Sequence, residues 1–252
     1  MERMIPIGFG NMVNAAKIIG VVKPGAVTAT KATRNGKIGV IATEGTINSQ
    51  IYTQYIKDLK QDAEVLGKAC PLFVPLAEEG LWQDPVTDEI ASRYLLELID
   101  IDIDTLILGC THYPFLIETL EKTIDELRHY KNSNGEYVYA GLIAKDLEFI
   151  DPAVYTALEC YQTLRADNQL ALNPGKGKLD AYISVPVYGL APDCIDDDGN
   201  LTYDFKYGRE FGTDDITTVF VPFSRRYLDS ATLERIEGML PKSYEKIKQI
   251  IE

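Results

Sequence analysis

At 252 residues, 46% of them hydrophobic, the chain can bury a core in one large domain or two modest ones. Its 25 Lys and Arg against 38 Asp and Glu leave a formal charge of −13, which repels phosphate backbones and anionic headgroups and argues against nucleic acid and membrane surfaces as partners. Four cysteines with no C-x-x-C pair, and only two histidines, speak against a zinc site or a disulfide framework and leave single reduced thiols. Apolar runs such as Ile18 to Val22 are far too short to span a membrane, and the chain starts without a signal-peptide core, so the expected location is cytoplasmic.

In chain order, short β-branched runs alternate with helical patterns. Ile18 to Val22, Lys37 to Thr43, Cys70 to Pro75 and Thr105 to Gly109 read as buried parallel strands. Between them Ile47, Ile51, Tyr55 and Leu59 share one helical face. Asp84-Pro85 opens a helix carrying Ile90, Tyr94 and Leu98, and Leu116, Leu120 and Ile124 follow Pro114. Such a series predicts an α/β domain over residues 1–165, a parallel sheet with flanking helices. After about residue 130 come a polar turn at 131–136, a strand at Tyr137 to Ile143 and a helix at Ala153 to Arg165. A linker at 166–177 then opens a smaller C-terminal α+β extension, residues 166–252. It has strands at 182–188 and 217–222, a hairpin around 196–200, and two short helices split by Pro241.

Ligands of open α/β sheets sit at the carboxyl ends of the strands, so the residues just past each strand are the first to consider. At Thr43-Glu44-Gly45-Thr46 a strand gives way to a helix, whose free amides and hydroxyls suit a carboxylate or phosphate. Equally, Thr46 serves as a plain N-cap there. At Gly109-Cys110-Thr111-His112-Tyr113-Pro114 a cysteine leaves an apolar strand, with His112 two residues on and a helix starting at Pro114. Imidazole and helix end both favour thiolate, the form that acts as base or nucleophile; the competing reading is an inert core cysteine. Cys70 and Cys160 read as packing residues and Cys194 as incidental. The run Asp196-Asp197-Asp198-Gly199-Asn200 reads as a solvated turn, because an EF-hand frame puts Cys194 and Phe205 where acidic ligands belong. Gly8-Phe9-Gly10 follows no strand and is no dinucleotide fingerprint. His129 reads as a positive charge at a helix end.

Four blocks of this sequence resemble glutamate racemase, of the aspartate/glutamate racemase superfamily, in order and at family-like separations. They are Ile19-Gly20-Val21-Val22-Lys23-Pro24-Gly25-Ala26, Gly39 to Ser49, Ala69-Cys70-Pro71-Leu72-Phe73-Val74-Pro75-Leu76-Ala77-Glu78, and Leu108 to Pro114, with a weaker echo at Phe149-Ile150-Asp151-Pro152-Ala153. The Cys-Thr-His triplet is closer to glutamate racemases than to their aspartate-specific relatives. The resemblance implies cofactor-independent two-base catalysis: one thiolate removes the α-proton of a small-molecule amino-acid substrate, and a second thiol returns a proton to the other face. It makes Cys110 one acid/base, tuned by His112, with Glu78 assisting and Thr111 contributing to substrate binding, beside the Thr43 and Thr46 turn that the strand-end reading offers as a further substrate contact. No metal or other cofactor is implied, and the product, D-glutamate, serves peptidoglycan synthesis.

The family's opposing Cys-Asn-Thr motif and its early Asp-Ser precede the first matched block, yet residues 1 to 43 contain neither Cys nor Asp. The chain also carries an insertion at about Asp125 to Lys145 and extra residues after Ala166. We expect either a truncated, impaired racemase or a diverged homologue. The alternative from another class is a non-catalytic racemase-like module for ligand binding or assembly. A third route is a homo-oligomer in which another subunit's cysteine completes the site. We expect one parallel sheet with Cys110 at a strand's carboxyl end, and apolar surface normally covered by the missing lobe left exposed or buried by residues 166–252 or by another subunit; a retained catalytic thiol further implies preferential alkylation of Cys110.

Overall fold

The structure is a computed structural model that describes residues 18–99, 101–172, 179–197, 199, 201–208 and 217–251. It divides into two compact units, Met1–Leu170 and Ala171–Glu252. In the first, a parallel sheet is built from β1 (Lys37–Ala42), β2 (Glu64–Ala69), β3 (Thr105–Leu108) and β4 (Glu148–Ile150), in the order β2-β1-β3-β4. Ile38 to Ala42 and all of β3 are buried, as strands covered on both faces require. The register sets Ile41 beside Leu108 and Ile107 beside Ile150. From β1 the chain steps outward to β2, then crosses back to β3 on the other side of β1. The strand order therefore reverses between β1 and β3, and the crevice at their carboxyl ends is a topological switch point.

Helices cover both faces. On one lie α4 (Phe73–Glu78), α5 (Pro85–Ile99) and α6 (Ile117–His129), which bury Phe73, Leu95, Leu98, Leu120 and Ile124. On the other, α1 (Val22–Ala32), α3 (Ile51–Leu59) and α7 (Pro152–Ala166) pack around Ala26, Ala29, Tyr52 and Ile56. Local chemistry explains the boundaries. Pro85 starts α5 while the Asp84 carboxylate accepts from the Val86 amide at 2.9 Å. Arg128 and His129 end α6, where cations suit the helix dipole. Asp151 caps α7 by accepting from the Ala153 amide at 2.9 Å, with Pro152 at the first helical position.

Three expected strands are corrected. Residues 18–20 have no regular structure and Val22 starts α1, because Pro24 falls in a first turn whose N–H groups have no helical partner to lose. Cys70-Pro71-Leu72 is a turn leading into α4; the strand lies one step earlier at β2, an edge strand too polar to show as an apolar run. Residues 137–143 make only a single bridge, Lys131 to Tyr137, and β4 comes later. The helix expected through Ile47 and Leu59 is two, α2 (Glu44–Asn48) and α3, broken where Gln50 takes a left-handed φ of 55°.

The second unit pairs β5 (Tyr182–Pro186) antiparallel with β6 (Thr218–Pro222) and adds α8 (Tyr203–Tyr207), α9 (Ser230–Met239) and α10 (Pro241–Ile251). Pro241 splits the last two helices, as the sequence suggests. An Ile195 to Leu201 bridge closes the acidic turn. Gly8-Phe9-Gly10, most of the 166–177 linker's second half, Asp198 and Asn200 lie outside the described residues.

Candidate active site

Cys110 stands two residues past the end of β3, and Gly109 is what lets it pass. A Cβ on Gly109 would meet Ala42 Cβ and the Ile41 carbonyl oxygen at 3.0 Å each, while its amide donates to that same oxygen at 2.7 Å. The turn beyond is held from below. Buried Tyr113 donates its amide to the Cys110 carbonyl at 3.1 Å and its hydroxyl to the Cys70 carbonyl at 2.8 Å, and packs edge-on against Phe73. A 3₁₀ turn, Tyr113–Leu116, then feeds α6, so the helix expected at Pro114 starts as this tighter turn.

With the turn fixed, His112 Nδ1 lies 3.6 Å from Cys110 Sγ, and its Nε2 lies 3.3 Å from Glu78 Oε1 at the end of α4. Thiol, imidazole and carboxylate thus form one row, drawn from sequence positions far apart. The sulfur opens on a crevice of about 330 Å³ lined by Val21, Tyr52, Cys110, Thr111, Asp151 and Pro152, among others. Burial, reinforced by the negative charges of Asp151 and Cys110, pushes the Tyr52 hydroxyl up to about 12, so it stays protonated and able to donate.

Thr43 and Thr46 sit at the neighbouring carboxyl end of β1, their hydroxyls 3.1 Å apart. Thr43 holds the N-cap position of α2 and Thr46 lies inside that helix, which corrects the reading of Thr46 as the cap. Thr46 borders a separate small hollow with Gln50 and Gly67, joined to the Cys110 crevice only through Tyr52. Cys70 is buried, with its sulfur 3.6 Å from the Lys68 carbonyl oxygen. Cys160 is exposed, against the packing role expected of it, because α7 buries only Pro152 and leaves Val154, Leu158 and Tyr161 in solvent. Ile18 and Val21 are exposed as well. Tyr52 and Asp151 were missed as crevice residues; the only hint was the Ile150-Asp151-Pro152 echo. Among the described residues no cluster of three or more His, Cys, Asp or Glu is arranged for a metal, and no helix is long and apolar enough to cross a membrane.

A switch-point crevice holding a thiol backed by imidazole and carboxylate defines an α/β lobe equipped for acid–base or nucleophilic chemistry. Residues 17–131 match the model of the Asp/Glu/Hydantoin racemase family. It is 50% identical over 109 residues to a glutamate racemase of Geobacter metallireducens, covering 43% of this chain and 40% of the relative. Against one of Thermoanaerobacter sp. (strain X514) it is 38% identical over 168 residues, covering 66% and 56%. The chain thus spans between 40% and 56% of the length of these relatives. A Bacillus anthracis glutamate racemase structure superimposes with a TM-score of 0.54 at 34% identity, covering 65% of this chain and 54% of that one. One from Francisella tularensis, in complex with D-glutamate, gives 0.53 at 29% identity, covering 65% and 53%. The α/β fold with a parallel sheet and flanking helices agrees with these neighbours; the small antiparallel sheet is additional.

Proposed function

We propose that this chain is a cytoplasmic, cofactor-independent glutamate racemase lobe in which Cys110 transfers the α-proton on one face of the amino acid. The observation that carries the reading is the Cys110, His112 and Glu78 row at the switch point. A carboxylate beside Nε2 favours the tautomer with its proton there, which leaves Nδ1 free to accept from the thiol. The resulting thiolate takes the Cα proton, and the electron pair left behind spreads into the substrate carboxylate, so no electron-accepting cofactor is needed. Thr111 offers a donor within the crevice, and the paired Thr43 and Thr46 hydroxyls at the neighbouring end of β1, beyond Tyr52, offer further donors for the carboxylates. The four-block resemblance and the similarity to glutamate racemases support glutamate as the substrate.

Incubation of the full chain with L-glutamate in deuterated water tests this. Exchange of the α-proton supports the assignment of Cys110. Inversion in addition shows that an opposing acid is present, and a rate rising more steeply than protein concentration assigns that acid to a second copy in a homo-oligomer. Absence of both at high enzyme concentration overturns the reading in favour of a non-catalytic module.

A further inference from the structure

The crevice around Cys110 has a charge asymmetry that the thiol, imidazole and carboxylate row does not use. Its polar lining comprises Tyr52, Cys110, Thr111 and Asp151, with no Lys or Arg among the described residues. A carboxylate in this lining, with no cation to balance it, attracts a cation and repels an anion. Asp151 has a second duty that fixes its geometry: the carboxylate oxygen Oδ1 accepts from the Ala153 amide at 2.9 Å, capping α7. Oδ2 has no hydrogen-bond or ion-pair partner among the described residues. One carboxylate oxygen is thus tied to the start of α7, and the residue itself lines the crevice. Pro152 pins the same corner, since a Cβ on Gly25 of α1 would already lie 3.0 Å from its ring.

We propose that Asp151 is a positioning residue that binds the α-ammonium group of the amino-acid substrate and so presents its Cα hydrogen to Cys110. This rests on the glutamate reading above and adds an orientation to it. The ammonium sits at the Asp151 corner, and the carboxylates lie toward the donors of the Thr43 and Thr46 turn and Thr111. Substrates without a cationic nitrogen next to Cα are then poor ligands even where both carboxylates are present.

The test uses the full chain and two probes, L-glutamate and glutarate, which has the same two carboxylates and lacks the ammonium, with binding followed by calorimetry. Wild type should bind glutamate at least about tenfold more tightly than glutarate, the strength of one charge-assisted hydrogen bond. Asp151→Asn retains an N-cap of equal quality and removes only the charge. It should erase that tenfold preference by weakening glutamate while glutarate binds as before or better, with an unchanged melting temperature. Equal weakening of both ligands reveals a purely structural role and overturns the proposal, as does a variant that keeps the preference. If Asp151→Asn fails to fold, the wild-type ratio decides, and equal affinity for the two ligands overturns it. Failure of wild type to bind either ligand is a different result: it removes the glutamate reading itself, and this inference with it.

Discussion

At the amino end of β3, Asp104 is 3% exposed and its carboxylate accepts four hydrogen bonds. The donors are the Thr33 and Thr105 hydroxyls, at 2.6 and 2.9 Å, and the Arg34 and Asn35 amides, at 2.6 and 2.8 Å. At the carboxyl end of the same strand Cys110 is only partly buried, and among the described residues its sulfur has one hydrogen-bonding side chain beside it, His112. One end has every polar atom matched and ties the turn between α1 and β1 to the sheet. The other leaves a reactive group underused and faces a crevice. The division teaches where to look: a saturated polar site holds the fold, and an unsaturated one at a switch point is free to meet a ligand.

Substitution at the two ends should separate the effects. Cys110→Ala is expected to lower α-proton exchange about 10²- to 10⁴-fold, the range for a positioned acid/base, while the melting temperature barely moves. Asp104→Ala should do the reverse. It leaves two backbone amides and two hydroxyls without their acceptor, at a cost of about 3 kcal/mol or more in denaturant unfolding, with exchange per folded molecule unaffected. Burial alone raises the Asp104 pKa, but the four hydrogen bonds outweigh it and hold the carboxyl below its usual value. A depressed folded pKa means this stabilisation is present above about pH 4, the unfolded value, and is lost as pH falls through the folded one. Wild type should therefore lose stability in acid more steeply than Asp104→Asn. A large stability loss in Cys110→Ala, or a specific activity loss in Asp104→Ala, would collapse the division.

How far this was legible follows the same lines. β1 and β3 are continuous apolar runs because helices cover both their faces, and they were read correctly, as was Cys110 past the end of β3. Leu72-Phe73-Val74 is as apolar, yet it begins α4; a short run of this kind carries no period to tell a strand from a buried helix. β2 escaped notice because an edge strand bearing Glu64 and Lys68 buries too little to leave a pattern. The pairing of His112 with Glu78 was available only through the family resemblance, since the contact is made by folding α4 beside the turn after β3. Asp151 was visible only within the weak Phe149 to Ala153 echo, because its place at the crevice is made by folding β4 beside β3.

Cys70 supplies a sharper contrast, for it too follows a strand end. Burial, opposed by Lys68 and reinforced by Glu97, pushes its thiol up to about 12. Because the folded pKa lies above the unfolded value of about 8.5, the native state keeps a proton the unfolded chain gives up. Stability is then complete below about pH 8.5 and falls as pH rises toward 12, by up to about 1.4 kcal/mol per pH unit for this one group. Urea unfolding at pH 9 to 10 should show that slope in wild type and a flatter one in Cys70→Ala, since Tyr52 and Tyr113, also raised by burial, contribute equally to both proteins. An identical slope in both proteins would mean that Cys70 is not the buried acid the structure makes it.

The smallest expected effect concerns Glu78, whose side chain is 59% exposed beside His112. Exposure to water weakens its pull on the imidazole, so Glu78→Gln should slow alkylation of Cys110 by sub-stoichiometric iodoacetamide at neutral pH only about threefold. The direction is nevertheless diagnostic. Without the carboxylate the ring's proton is no longer drawn to Nε2, so Nδ1 spends part of its time protonated and unable to take the thiol's proton. In wild type, Cys110 should be labelled before Cys160, although Cys160 is fully accessible on α7, because reactivity follows thiolate and not access alone. Cys160 is also the internal reference, since its rate should be the same in both proteins. Raising salt to about 1 M shrinks the screening length to about 3 Å and should narrow the gap at Cys110 between wild type and variant. A Glu78→Gln protein that labels Cys110 as fast as wild type at low salt would remove Glu78 from the row. Labelling of Cys160 ahead of Cys110 in wild type would remove the activated thiol itself, and the carboxyl end of β3 would then be no more reactive than an exposed helix surface.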